Sequence, residues 1–294
     1  MDKIILEGRK RVWEQALMLS GYDSLEESAI SELSEYFHKD KMEIREVLSQ
    51  AEKLFAEEWQ RMEINREDSE SVTSFYNNSQ YEILELMDWH VNRFNEGPLN
   101  YVCAMEIAKK EKFTRYLDYG SGIGSGSILF LKNGFEVFSA DVATPLQEFI
   151  KFRLKKRNIE ACFIDLKKEK LENAIYDIVT CFDVLEHSVK PMKILEQLGR
   201  ALRVGGFLIL NNVECKLEEK RPMHISEVCL EQKLRYLGFD QLWDLQEDFK
   251  KSNPNYVIVL KKVNRSIFVN MLFFIYDNFC PLSLKRLLNR KKSC

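Results

Sequence analysis

The sequence has no dominant charge. Its 43 Lys and Arg face 46 Asp and Glu, a formal net charge of -3, so no overall field holds a polyanion and nucleic acid is not expected as the main partner. It also has no CxxC pair. Cys103, Cys162, Cys181, Cys215, Cys229, Cys280 and Cys294 are scattered and odd in number, which reads as reduced intracellular thiols. At the N-terminus, Asp2, Glu7, Arg9, Lys10 and Arg11 break up the early hydrophobic residues, and no export signal is expected. No apolar run is long enough to span a bilayer, because Asn270, Asp277, Asn278, Pro281 and Lys285 interrupt the candidate segment 267–288. Internal repeats and low-complexity stretches are absent. What is present is a chain of 294 residues, longer than one average domain, whose 45% apolar content suffices for a substantial core; a cytoplasmic location is expected.

Up to about Lys112, apolar residues recur at helical spacing, as in Ile44, Val47, Leu48 and Ala51, and again in Ile83, Met87, Val91 and Phe94. Two groups of helices are expected, separated by the polar stretch 65–80 and ended by Gly97-Pro98. From Tyr116 onward, short apolar runs alternate with helical segments. Strands are expected at 116–119, 136–140, 161–164, 178–182, 207–211, 241–245 and 256–261. Such alternation implies an α/β fold with a doubly wound, Rossmann-like, mostly parallel sheet. The last two strands follow each other without a helix, and an antiparallel hairpin is expected at one edge. The chain thus divides into a helical region 1–112, a sheet domain 113–263 and a C-terminal extension 264–294.

Residues 118–124 read Asp-Tyr-Gly-Ser-Gly-Ile-Gly. Gly120, Gly122 and Gly124 therefore alternate directly behind a strand and ahead of a helix. Glycines there admit positive φ and let the backbone approach a ligand above the strand ends. The dinucleotide pattern G-x-G-x-x-G is imperfect, since Ser127 stands three residues after Gly124. The segment resembles the first motif of class I S-adenosylmethionine-dependent methyltransferases, acidic-x-Gly-x-Gly-x-Gly. The resemblance covers roughly 116–262 and includes the Asp183-Val-Leu-Glu186-His187 segment, which is similar to the D-x-x-E-H signature of small-molecule members, ubiquinone and menaquinone methyltransferases among them. It also includes a Gly205-Gly206 turn in which Val204 replaces the customary proline.

The resemblance implies S-adenosylmethionine as cofactor, held by Asp118, Tyr119, Gly120, Ser121, Gly122 and Gly124 in the loop. It implies Asp141 and Val142 for the ribose, Asp165 and Leu166 for the adenine, and Phe182 and Asp183 after the fourth strand. Tyr76 and Tyr81 are candidate donor-site residues of the helical third, and Trp89 reads as packing. His187 is the candidate base and His224 a second catalytic candidate. Asp183, Glu186, His187 and His224 also have the ligand types for a divalent cation, although metal-free relatives with D-x-x-E-H are common and no metal is expected.

The implied function is methyl transfer to O or N, less so C, of a small-molecule acceptor. No N/D-P-P-Y/F tetrapeptide follows the fourth strand, which argues against nucleobase or protein-amide methylation. A non-catalytic methyltransferase-like scaffold and an NAD-type oxidoreductase are the alternatives. The tail joins Phe268, Met271, Leu272, Phe273, Phe274 and Ile275 to Lys285, Arg286, Arg290, Lys291 and Lys292. It suits docking on the helical region or a second copy, as in a homodimer, or peripheral contact with a membrane.

Overall fold

The computed structural model describes residues 2–93, 97–211, 223–225, 234–251, 257–266 and 269–272. The helical third contains α1 (Lys3–Leu17), α2 (Leu25–Phe37), α3 (Lys41–Leu48), α4 (Ala51–Arg61), α5 (Ser69–Asn78), α6 (Glu82–Asn92) and α7 (Leu99–Lys110). The polar stretch expected to separate two helical groups is itself helical as α5. Asp68 caps it by accepting from the Glu70 and Ser71 N–H groups. Val72 and Phe75 alone are buried on it, so its apolar face is too narrow to show in a periodicity count.

From Arg115 the chain runs β1 (Arg115–Tyr119), α8 (Ser125–Lys132), β2 (Glu136–Asp141), α9 (Thr144–Lys156), β3 (Cys162–Asp165), β4 (Tyr176–Cys181), α10 (Pro191–Ala201), β5 (Leu202–Asn211), β6 (Phe239–Gln241), α11 (Trp243–Lys250) and β7 (Val257–Lys262). The sheet order is β3-β2-β1-β4-β5-β7-β6. β1 to β5 pair in parallel, and β7 lies antiparallel between β5 and β6. This is the doubly wound, mostly parallel sheet with its antiparallel pair at one edge. The connection within that pair differs from expectation, because it carries α11. The strand read at 241–245 is confined to Phe239–Gln241, since Phe249 and Gln246 bury one helical face behind it.

Alternation along the strands sends successive side chains to opposite layers. Tyr116, Val137, Ile178, Ile209 and Val259 enter one core with α1, α6, α7, α8 and α9. Leu117, Phe138, Val179, Leu208 and Ile258 enter a second with Leu195 and Leu198 of α10. Most of the helical third shares the first core with the sheet, where Trp13 of α1 stacks on Tyr101 of α7 at 5.8 Å. A third cluster joins Phe55 and Trp59 of α4, Val72 and Phe75 of α5, and Met223 beyond β5. It roofs the carboxyl edge of the sheet.

Among the described residues no helix is long and apolar enough to cross a membrane. Val269, Met271 and Leu272 are exposed. The rest of the apolar tail from Phe273 and all of its basic residues lie outside the described residues, as do Phe94, Ser226, Tyr256 and Phe268.

Candidate active site

At the end of β1 the chain turns through Gly120 and Gly122 before α8. Both have positive φ, +70° and +54°, a region that costs other residues strain. At Gly120 space decides as well, because a Cβ would lie 2.3 Å from Val184 Cγ2. The Gly120 and Ser121 N–H groups donate to the Ala140 carbonyl at 2.8 and 3.2 Å. The Gly122 N–H donates to Asp141 Oδ2 at 2.9 Å, and the Ala143 N–H to Oδ1 at 2.9 Å. Asp141 is buried, and burial raises its pKa against the pull of those N–H donors. The Val142 N–H also acts on this carboxylate, whose two oxygens together offer about four lone-pair sites, so acceptor capacity remains.

Asp118 sits beneath the loop. Its carboxyl accepts from Ser127 Oγ at 2.8 Å and lies 3.4 Å from Thr180 Oγ1. Burial pushes its pKa up to about 7. The residue that opens the glycine motif therefore braces the turn and α8 and does not border the cavity. Gly124 also lies behind it, packed on Ile150 of α9.

The cavity holds about 290 Å³. Tyr119, Gly120, Ser121, Gly122, Asp141, Val142, Leu166, Phe182, Asp183, Tyr76, His187 and His224 all border it. Asp165 and Tyr81 do not. The Asp165 carboxyl accepts from the Lys167 N–H at 3.0 Å and pairs with Lys168 at 2.9 Å. Lys168 is the main cause of its lowered pKa. Tyr81 sits ahead of α6 and packs among the aromatics of the third cluster.

Beyond β4, Asp183 takes the left-handed region at φ 53°. Asn211 at the end of β5 holds it there by accepting from its N–H at 2.7 Å and donating to its carboxylate at 2.9 Å. A 3-10 turn, Leu185–His187, follows. It brings His187 Nδ1 to 3.0 Å from the Tyr76 hydroxyl and 3.2 Å from the Met223 carbonyl. A carbonyl only accepts, so we assign the proton to Nδ1 and the lone pair to Nε2. Burial raises the Tyr76 phenol well above its ordinary pKa and keeps it neutral. The His224 ring meets that of His187 edge-on at 5.0 Å. Ligand atoms of Glu186, His187 and His224 lie within 4.8 Å of one another. Asp183, the fourth cation candidate, stays outside that group.

Residues 87–251 match the family model described as a methyltransferase domain. The chain belongs to that family. It is similar to the ubiquinone biosynthesis O-methyltransferase of Vibrio cholerae serotype O1, at 25% identity over 126 residues, covering 42% of this chain and 51% of that protein. It is similar also to the enzyme of the same name from Xanthomonas oryzae pv. oryzae, at 27% over 130 residues, 42% and 52%. The chain thus spans about half the length of the curated relatives it matches. Among solved structures, the magnesium protoporphyrin IX methyltransferase of Synechocystis aligns at a TM-score of 0.48 and 15% identity, covering 68% of this chain and 98% of that one.

Several residues of the cavity carry no motif. Glu52, Glu82, Glu85, Leu86 and Trp89 reach it from α4 and α6. Trp89 was expected as packing alone, yet it borders the cavity and covers Gly97, where a Cβ would lie 2.7 Å from its ring. Asn211 gave no sign in the sequence beyond its place at the end of a strand.

Proposed function

We propose that the chain is an S-adenosylmethionine-dependent methyltransferase acting on an oxygen or nitrogen atom, less readily carbon, of a small-molecule acceptor. The observation that carries this is one cavity bordered by the glycine loop and Asp141 and also by Tyr76, His187 and His224. When bound, S-adenosylmethionine supplies an activated methyl group on a good leaving group, and the protein's task is alignment. Gly120 and Gly122 let the backbone approach the donor. Asp141 retains acceptor capacity for ribose hydroxyls. His187, with its proton on Nδ1, offers Nε2 to take a proton from the acceptor. The names of the curated relatives favour oxygen. The test is calorimetry with S-adenosylhomocysteine and a labelled-methyl transfer screen across phenolic, amine, lipid and sugar acceptors. Absence of both binding and transfer would remove this reading in favour of a scaffold.

The group of Glu186, His187 and His224 favours a second reading in which the acceptor end takes a divalent cation. Two imidazoles and one carboxylate fit a first-row ion. A bound cation would lower the pKa of a coordinated hydroxyl. Titration with cobalt(II), read by its visible absorption, tests whether the three residues bind an ion.

A further inference from the structure

Glu82 opens α6 and is nine-tenths buried, with 9% of its surface exposed, and it borders the same cavity as Asp141. The groups that face it are of the wrong kind to hold it. Asp141 from β2, Glu85 from its own helix and Glu58 from α4 all act on it with like charge, and Tyr76 of α5 stands beside it. Among the described residues, no hydrogen bond or ion pair reaches its carboxyl. Several neighbouring charges have partners. Glu58 accepts from Ser79 Oγ at 2.6 Å and from the Gln80 N–H at 3.0 Å. The guanidinium of Arg93, which also borders the cavity, is engaged by Glu52 at 2.8 Å and Asp88 at 3.1 Å.

A carboxyl buried among carboxyls is unfavourable as an anion unless a positive charge joins it. Burial first, and then the like charges around it, push its pKa well above the ordinary carboxylate range. The rings of Tyr76 and Trp89, which border the same cavity, are themselves attractive to cations through their faces. A neutral or anionic side chain of a ligand would leave these groups unmatched.

We propose that Glu82 is the counter-charge for a positively charged centre of one of the two reactants, an onium or ammonium group. The proposal rests on the methyl-transfer reading above. The centre has two sources, the donor itself or an amine on the acceptor.

The experiment compares wild type with Glu82→Gln, which keeps the hydrogen-bonding shape, and with Glu82→Ala, after thermal unfolding has shown all three folded. Calorimetry is run with S-adenosylmethionine and S-adenosylhomocysteine, and steady-state methyl transfer with amine and phenol acceptors. If the donor is the source, Glu82→Gln weakens donor binding by about tenfold, the scale of one charge-assisted contact. Loss for S-adenosylmethionine alone assigns the sulfonium, and loss for both ligands assigns the ammonium. If the acceptor is the source, donor affinity holds and kcat/KM falls by a similar factor for amines but not for phenols. A Glu82→Gln protein equal to wild type in every arm would overturn the proposal, as would one in which only Ala weakens binding, the mark of a neutral hydrogen bond. Wild type binding neither nucleoside would remove the methyl-transfer reading and the proposal together. Intact wild-type binding with an indifferent Glu82→Gln removes the proposal alone.

Discussion

Arg153 Nη1 donates to the Ile123 carbonyl at 2.8 Å and to Ser125 Oγ at 3.0 Å, holding the glycine loop from beneath. Its other partner is Glu32 of α2 at 3.5 Å, both side chains 1% exposed. Glu32 is further paired with Arg157 at 2.5 Å. Burial draws the Arg153 pKa down to about 10, so the guanidinium is still a cation at neutral pH. The helical third is thereby tied to the loop through buried charge. Arg153→Met is expected to weaken S-adenosylhomocysteine binding several-fold and to cost about 3 kcal/mol of stability, the scale of breaking a buried pair. Adding Glu32→Gln should cost further stability, because the buried Arg157 then loses its carboxylate partner, and should leave the affinity where Arg153→Met put it. Unchanged affinity in Arg153→Met would show that the loop does not depend on Arg153.

His90 gives a pH signature. Its Nδ1 lies 2.9 Å from Ser125 Oγ, and burial, with the Arg153 charge second, pulls its pKa down to about 3. The unfolded chain takes up a proton near pH 6.5, while the folded chain resists to about 3. Between those values the unfolded state binds more protons, so the stability that His90 contributes is complete above pH 6.5 and is lost as pH falls, by at most about 1.4 kcal/mol per unit. Denaturant unfolding of wild type and His90→Asn from pH 7.5 to 4 should give a shallower fall for the variant. Parallel curves would mean that His90 titrates normally.

At Gly122 a Cβ would lie 3.3 Å from Leu86 Cδ1, a side-chain end that can move, but φ is +54°. Gly122→Val is therefore expected to fold with a loss of about 1–3 kcal/mol from backbone strain. The same strain turns its N–H away from Asp141 Oδ2. Donor affinity should fall by at least about tenfold, read by calorimetry with S-adenosylhomocysteine. Unchanged affinity would place the donor elsewhere.

The parts of this site that the sequence discloses are local. Alternate glycines behind β1, Asp141 at the end of β2 and the segment 183–187 lie within single strand-to-helix connections, where spacing alone sets geometry. The cap is different. α5 shows too few apolar residues to stand out, and α11 hides in a stretch whose Trp243 and Leu245 mimic strand alternation. Glu82 stands in no motif, and its burial comes from elements distant in sequence such as β2 and α4. Asp165 shows the opposite failure, a residue in the expected register whose carboxyl the following turn takes up. Contacts such as Tyr76 with His187 and Arg153 with Ile123 join elements 111 and 30 residues apart, and no spacing rule reaches them.

The acceptor end is tested by separating proton transfer from metal binding. If His187 removes the acceptor's proton, His187→Asn should lower kcat by about 10²–10⁴, leave S-adenosylhomocysteine affinity near wild type and abolish the acidic limb of the pH–rate profile. Tyr76→Phe, which removes only the hydroxyl 3.0 Å from Nδ1, should shift that limb while retaining most of the rate. A cation held by Glu186, His187 and His224 gives a different pattern. Chelator would then abolish transfer, and His224→Asn would be as damaging as His187→Asn, because both imidazoles are ligands. Chelator-insensitive transfer with a mild His224→Asn and a severe His187→Asn would leave His187 as the base.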